Sequence, residues 1–282
     1  MKIPKRIAPL VSTMAMFFLS SMASAQTPQQ QPAPLALIAA GSGVNLGITQ
    51  LLANAFTAGH PQVTINIPGS IGSNGAVKAV ADNAITFGLM SRPLKEAEKS
   101  PGLVVRPYAR VPIVVGAHAA VADDEITFQE LVDIYKGKKT RWKDGNEIIV
   151  LSREPFDSGF QLLEKEVPGF KDAIAESRQT KRWTVHFTDQ DSNRAISTMR
   201  YAIGITDLGM IKVEHLNIKA LRLNGIIPGP ESLLSGQYPL SRQLSFLYRD
   251  ETLPEGARAF LDFVRSVEGA DILKSNGYLP VN

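Results

Sequence analysis

Cysteine is absent from the 282 residues, so no disulfide can hold this chain and its stability has to come from a buried core. Histidine is sparse. His60, His118, His186 and His215 are scattered without the spacing of metal ligands, so no metal site is expected. The glycine-rich run "GSIGSNG" is not followed by Gly-Lys-Ser/Thr, which excludes a nucleotide-binding P-loop. The Asp-Ser-Gly of "PFDSGF" lacks the G-x-S-x-G elbow of a serine nucleophile, and no nucleophile–base pair stands out. Enzymatic chemistry is therefore not expected, nor is a cofactor. A surplus of charge is missing too. The chain has 30 basic and 27 acidic residues, and the excess of three lies in Lys2, Lys5 and Arg6. Beyond residue 25 the two signs balance, so neither nucleic acid nor an anionic membrane surface is expected as a partner.

Long hydrophobic runs are equally scarce. The one that exists, about residues 7–19, follows the three basic residues and ends at Ala23-Ser24-Ala25. That arrangement reads as a signal peptide over 1–25, cleaved after Ala25, and so predicts export. Residues 26–34, "QTPQQQPAP", have no apolar periodicity and read as a disordered tether.

From residue 35 onward, short apolar runs alternate with helix-period segments. Strands are expected at 35–40, 63–67, 85–90, 111–116, 148–151, 183–187, 202–206 and 244–248. Helices are expected at 46–58, 76–82, 127–135, 160–167 and 254–266. "TFQELVDIY" opens with a threonine cap and a capping-box partner. Such alternation implies βαβ units and a mainly parallel sheet. The length beyond the leader is enough for two lobes, each with its own core.

Three strand-to-helix junctions are rich in Gly and Ser: Gly41-Ser42-Gly43-Val44-Asn45, "GSIGSNGAVKAV" at 69–80, and "SREPFDSGF" at 152–160. Helix N-termini carry unpaired N–H groups and a partial positive charge, and a turn without bulk lets an anion reach them. Open α/β sheets bind ligands at this end of their strands. Arg153 offers a planar fork to an oxyanion, or pairs with Glu154 or Asp157. A carboxylate at Asp157 repels an anion unless the anion carries a proton, as hydrogen phosphate does and sulfate does not. Lys136, Lys138, Lys139, Arg141 and Lys143 surround Trp142, as a solvated loop or a docking surface.

The stretches "GSGVNLGITQLLANAF", "GSIGSNGAVKAV", "ITFGLMSRPLKEAE", "ITFQELVDIYKGKKTRWKDG", "IIVLSREPFDSGF", "AIGITDLGMI", "YPLSRQLSFLY" and "FLDFVRSVEGADILKSNGYLPV" occur here in this order. In them the chain resembles the phosphate-binding periplasmic proteins that feed ABC transporters. The resemblance implies an α/β, two-lobed type II periplasmic-binding fold, each lobe a mainly parallel sheet flanked by helices, joined by a two-strand hinge. It implies lobe 1 at 35–110 and 242–282, and lobe 2 at 111–241. Carried over residue by residue, it implies ligand contacts from Ser42, Gly43, Val44, Ser73, Asn74, Ser91, Arg92, Arg153, Ser158 and Gly159, to which the acidic acceptor Asp157 is added as a candidate from its own chemistry. The implied partners are phosphate or a similar oxyanion and an ABC permease, for a monomer in the periplasm.

Departures keep alternatives open. Val44 stands where the family often has a hydroxyl, and Phe160 follows Ser158-Gly159 where it usually has threonine. Arg153 is one residue further from the Ser-Gly pair than usual, and some members have aspartate at the place of Arg92. Tungstate, molybdate or sulfate is thus an alternative ligand. A sensor or adhesion module, with Phe160 in the cleft, is an alternative role.

Overall fold

The computed structural model describes residues 35–281, so the expected leader and tether lie outside the described residues. The first third of the fold runs β1 (Leu35–Gly41), α1 (Gly43–Gly59), β2 (Val63–Asn66), α2 (Gly72–Ala81) and β3 (Phe87–Met90). β1 pairs in parallel with β2 on one side and β3 on the other. A long strand, β4 (Leu103–His118), then crosses the molecule.

The middle of the chain holds β5 (Glu125–Ile126), α3 (Phe128–Tyr135), β6 (Ile149–Arg153), α4 (Ser158–Glu166), α5 (Phe170–Gln179) and β7 (Thr184–His186). After these come α6 (Asp189–Thr198), β8 (Ala202–Asp207), α7 (Leu208–Val213), β9 (Ile218–Ala220), β10 (Arg222–Leu223) and α8 (Pro230–Leu234). β6 is parallel to both β7 and β8. The chain finishes with β11 (Ser241–Arg249), α9 (Glu255–Val264), α10 (Val267–Ser275) and β12 (Leu279–Pro280).

The main sheet runs β2-β1-β3-β11-β4-β8-β6-β7. β4 links its two halves. Residues 103–112 pair with β11, and 113–117 pair with β8. Each half is a parallel trio bordered by an antiparallel strand, flanked by helices. The fold is the expected two-lobed α/β architecture. Two separate cores form accordingly. One gathers Leu37, Ile48, Leu52, Phe87, Phe246 and Phe260; the other gathers Ile113, Leu131, Tyr135, Phe160, Phe170 and Ile203.

β4 begins eight residues before the expected strand and accommodates two prolines. Pro107 sits beside a register shift that leaves Tyr108 bulged, and Pro112 pairs with Ser241 where the strand leaves one half for the other. The helix expected over 254–266 forms as α9, and a further helix that was not expected, α10, follows it, capped by Ser266, which accepts from Gly269 N–H. Trp142 is buried in the second core, its Nε1 donating to Tyr201 O at 3.0 Å.

Candidate functional site

Four helix N-termini line one cleft of about 380 Å³ between the two halves. α1 and α2 come from the first half, α4 and α6 from the second. Ser42 leads into α1 with extended backbone, and no side chain caps that helix. Ile71 leads into α2, also uncapped by a side chain. Gly72 there has φ +67, a left-handed conformation that glycine adopts without a steric penalty. The Gly72 N–H donates to Ser70 Oγ at 3.3 Å, but among the described residues the other first-turn N–H groups of α1 and α2 have no side-chain acceptor, which suits them to an anion. α4 is capped by Asp157, whose Oδ1 accepts from Phe160 N–H at 2.9 Å, and α6 by Thr188, which accepts from Asp191 N–H at 3.1 Å.

With no helix to cap, the Ser42 hydroxyl turns to Ser91, just past β3, at 2.8 Å. Ser91 Oγ also lies 3.4 Å from Ser73 Oγ and 3.2 Å from Ser158 Oγ, and Ser91 N–H donates to Ser73 Oγ. Four hydroxyls from four segments therefore converge, with Ser91 at their centre. Ser158 belongs to the second half, so its contact with Ser91 bridges the cleft. Gln190 makes another bridge, its Nε2 donating to Gly43 O at 3.2 Å.

Arg153, at the end of β6, is buried. Its Nε and Nη2 donate to Asp157 Oδ2 at 3.2 and 2.9 Å, and Nη2 reaches Asp189 Oδ1 at 3.4 Å. Among the described residues its Nη1 is buried without a hydrogen-bond partner. Burial works to raise the Asp157 carboxyl, but Arg153, Arg242 and the Phe160 N–H together hold it below the usual carboxylate range. Asp189 goes the other way: burial raises it, the Asp157 charge adds to that, and Arg153 opposes. One buried cation thus faces two carboxylates that differ in how readily they ionise.

Arg92 lines the cleft, but its guanidinium is engaged by Glu98 through both Nη atoms at 2.7 Å and by Asn74 Oδ1. The hydrogen bonds from Arg92 hold the Glu98 carboxyl below its ordinary value against the opposing effect of burial. Ser42, Gly43, Ser73, Asn74, Ser91, Arg92, Arg153, Asp157 and Ser158 all line the cleft. Val44 places its side chain in the first core, so only its backbone faces the mouth of α1. Gly159 sits against Arg242: a Cβ there would lie 2.6 Å from Arg242 Nη2.

The idea that Phe160 occludes the cleft is corrected by the structure. Its ring is buried in the second core, 5.8 Å from both Tyr135 and Phe170 between ring centres. α4 begins with Asp157 as cap, which turns the third residue of the helix inward. The aromatics that do line the cleft, Phe156 and Phe187, are exposed at its rim.

Four residues at the site have no counterpart in the sequence reading: Thr188, Asp189, Gln190 and Arg242. The first three open α6, a fourth strand-to-helix junction without a glycine. Thr188 with Asp191 three residues later was the available signal, a capping pattern directly after a strand. Arg242 shares the buried face of β11 with Leu244 and Phe246, and its Nη1 donates to Ser158 Oγ at 3.2 Å. An arginine in register with core residues is itself a marker of a paired or functional charge.

The model of the PBP superfamily domain matches residues 25–268. The chain belongs to the PBP superfamily. Among curated relatives, the phosphate-binding protein PstS of Staphylococcus saprophyticus is 25% identical over 241 residues, spanning 80% of this chain and 74% of the relative. PstS of Bacillus subtilis is 25% identical over 265 residues, spanning 89% and 83%. A solved protein from Clostridium perfringens, assigned as a phosphate ABC transporter substrate-binding protein and carrying bound phosphate, superposes with a TM-score of 0.75. It is 26% identical, and the match covers 88% of this chain and all of that one. These relatives are binding proteins rather than enzymes.

Proposed function

We propose that this superfamily member is an exported solute-binding protein that captures phosphate between its lobes and hands it to an ABC permease. The observation that carries this reading is the convergence of Ser42, Ser73, Ser91 and Ser158 beside two uncapped helix N-termini and a buried arginine. Preorganised hydroxyl and N–H donors can stand in for the water stripped from an anion. The PstS relatives and the phosphate-bound neighbour favour phosphate as that anion. Asp157, held ionised by Arg153, favours it further: a carboxylate can accept the proton of hydrogen phosphate but leaves sulfate with a bare repulsion. We take 35–110 with 242–282, and 111–241, as lobes that move about the segments where β4 and β11 pass between the halves. Export rests on the expected leader, and delivery to a permease on the likeness to the ABC transporter substrate-binding protein.

Calorimetry on the ligand-stripped protein with phosphate, sulfate, molybdate and tungstate tests the ligand. Phosphate is expected to bind at least about tenfold more tightly than sulfate, given an acceptor that only a protonated anion satisfies. Heat from tungstate or molybdate with none from phosphate would reassign the anion. No response to any of the four would favour a sensor or adhesion role.

Closure gives a second expectation. A Cβ on Gly43 would lie 2.8 Å from both Asp189 Oδ2 and Gln190 Oε1 across the cleft. Gly43→Ala should leave the thermal midpoint nearly unchanged and weaken phosphate by about tenfold, because it disfavours only the closed state. Scattering of the bound protein should then show a larger radius of gyration than wild type. Unchanged affinity would show that the approach at Gly43 plays no part in closure.

A further inference from the structure

The gap between the halves does not end at the hydroxyl cluster. Beyond the Ser91–Ser158 contact it continues into a second cavity of about 870 Å³, and Ser91, Arg92 and Ser158 line both spaces. Its floor is β11, its walls the segment after β3 and the outer face of α4. We propose that the cleft also takes a phosphoryl monoanion that keeps one P–O–H and bears one organic substituent, held with its phosphoryl group at the hydroxyl cluster and its substituent in this rear cavity. The proposal rests on the anion-binding reading above and names the class of ligand that would fill the whole gap.

Three observations carry it. The rear cavity is more than twice the volume of the front one, and a free tetrahedral anion at the hydroxyls would leave it unused. Its lining is of mixed chemistry: Pro93, Leu94, Val105 and Leu162 offer apolar surface, and Gln161 and Gln243 offer amides. That combination suits a small organic group with few polar atoms. The charges there do not make a second anion site. Lys99 pairs with Glu96 at 2.6 Å, Lys165 with Glu166 at 2.8 Å and Arg92 with Glu98 at 2.7 Å, and the Arg242 charge is offset by Asp157, Asp189 and Asp207. The substituent is therefore uncharged. The partition is a pair of hydroxyls 3.2 Å apart, and hydroxyls rotate and donate as readily to a bridging oxygen as to each other.

The test is calorimetry on the ligand-stripped full chain with inorganic phosphate, glycerol phosphate and propylphosphonate. The two substituted compounds together distinguish the shared phosphoryl chemistry from an ester linkage. Both are expected to bind about tenfold or more tightly than inorganic phosphate, as filling an adjoining pocket can provide. Gln243→Trp and Gln161→Trp, each placing an indole in the rear cavity from an exposed position, should weaken the substituted compounds by about tenfold and leave inorganic phosphate within about twofold. Two variants on different elements guard against one failing to fold. If inorganic phosphate binds as tightly as the substituted compounds, or if neither indole separates the classes, the rear cavity is not a subsite and the proposal falls while the phosphate reading stands. If none of the three compounds binds wild type, the anion-binding reading itself fails.

Discussion

Arg153→Ala is expected to abolish measurable phosphate binding and to destabilise the fold by about 3–5 kcal/mol, the usual consequence of leaving a buried partner charge uncompensated. Arg153 is buried, and it is the cation within hydrogen-bond reach of both Asp157 and Asp189. Without it, two carboxylates face one another in a space that already penalises charge. Asp157 would lose the interaction that contributes most to holding it ionised, and it also caps α4 through Phe160 N–H. For a chain of this size the thermal midpoint should fall on the order of 10 °C. The binding loss has a separate cause: the unpartnered Nη1 is the donor left over for a ligand once Nε and Nη2 are taken by the carboxylates.

Arg153→Lys separates these two roles. It keeps the charge and so should recover most of the thermal midpoint, but a point charge cannot serve two carboxylates and an anion in one plane. Calorimetry should show phosphate weakened by a further factor of about 10² relative to the stability-matched expectation, since a charge-assisted hydrogen bond of about 1.5–3 kcal/mol is removed. A lysine variant that binds like wild type would show that the fork of Arg153 is spent on Asp157 and Asp189 alone.

How far the molecule was legible depended on whether a residue type announced its task. β1, α3 and β8 follow from apolar runs and a capping box, and lie within a residue or two of expectation. The helix expected at 76–82 begins at Gly72, because three of its first four residues are Gly or Ser and carry no periodicity. α6, "DQDSNRAIST", has little apolar surface to mark it, yet its first turn supplies Asp189 and Gln190 to the cleft. α5 carries the signal of a helix, with Phe170, Ala173, Ile174 and Ser177 as its buried face at helical spacing. The hydroxyl cluster was legible as separate Gly/Ser turns. That Ser91 joins them was not, since convergence depends on strand order, which a single sequence leaves open. Phe160 shows the reverse case: the alternative that puts it in the cleft rests on its place beside Ser158 and Gly159 in sequence, whereas α4 turns its third residue into the core.

Asp207 should make the fold less stable as pH rises from about 4 to about 7, and Asp207→Asn should remove that slope. Asp207 is fully buried where β8 ends, opposite Ile113 of β4. Its Oδ1 accepts from Met210 N–H at 3.1 Å, while Oδ2 is buried with no partner. Burial raises its carboxyl to about 7. Arg242 from β11 and the Met210 N–H oppose this, and Asp189 and Glu214 reinforce it. The hydroxyls of Tyr108 and Tyr278 stand nearby, themselves raised by burial. Between the unfolded value of about 3.9 and the folded one, the unfolded chain releases this proton and the folded chain keeps it. Stability therefore falls by about 1.4 kcal/mol per pH unit over that window, about 4 kcal/mol in all, and levels off above it. Asparagine keeps the cap to Met210 and never ionises. The thermal midpoints of wild type and Asp207→Asn, followed from pH 4 to pH 8.5, should accordingly draw apart with rising pH, the variant becoming the more stable. Asp157 contributes the opposite sign, since its lowered carboxyl adds stability above about 3.8 that is lost as pH falls through its folded value, but that window lies below the one in which Asp207 titrates. Parallel profiles across pH 4–7 would mean that Asp207 is ionised throughout and that Arg242, not the missing proton, neutralises it.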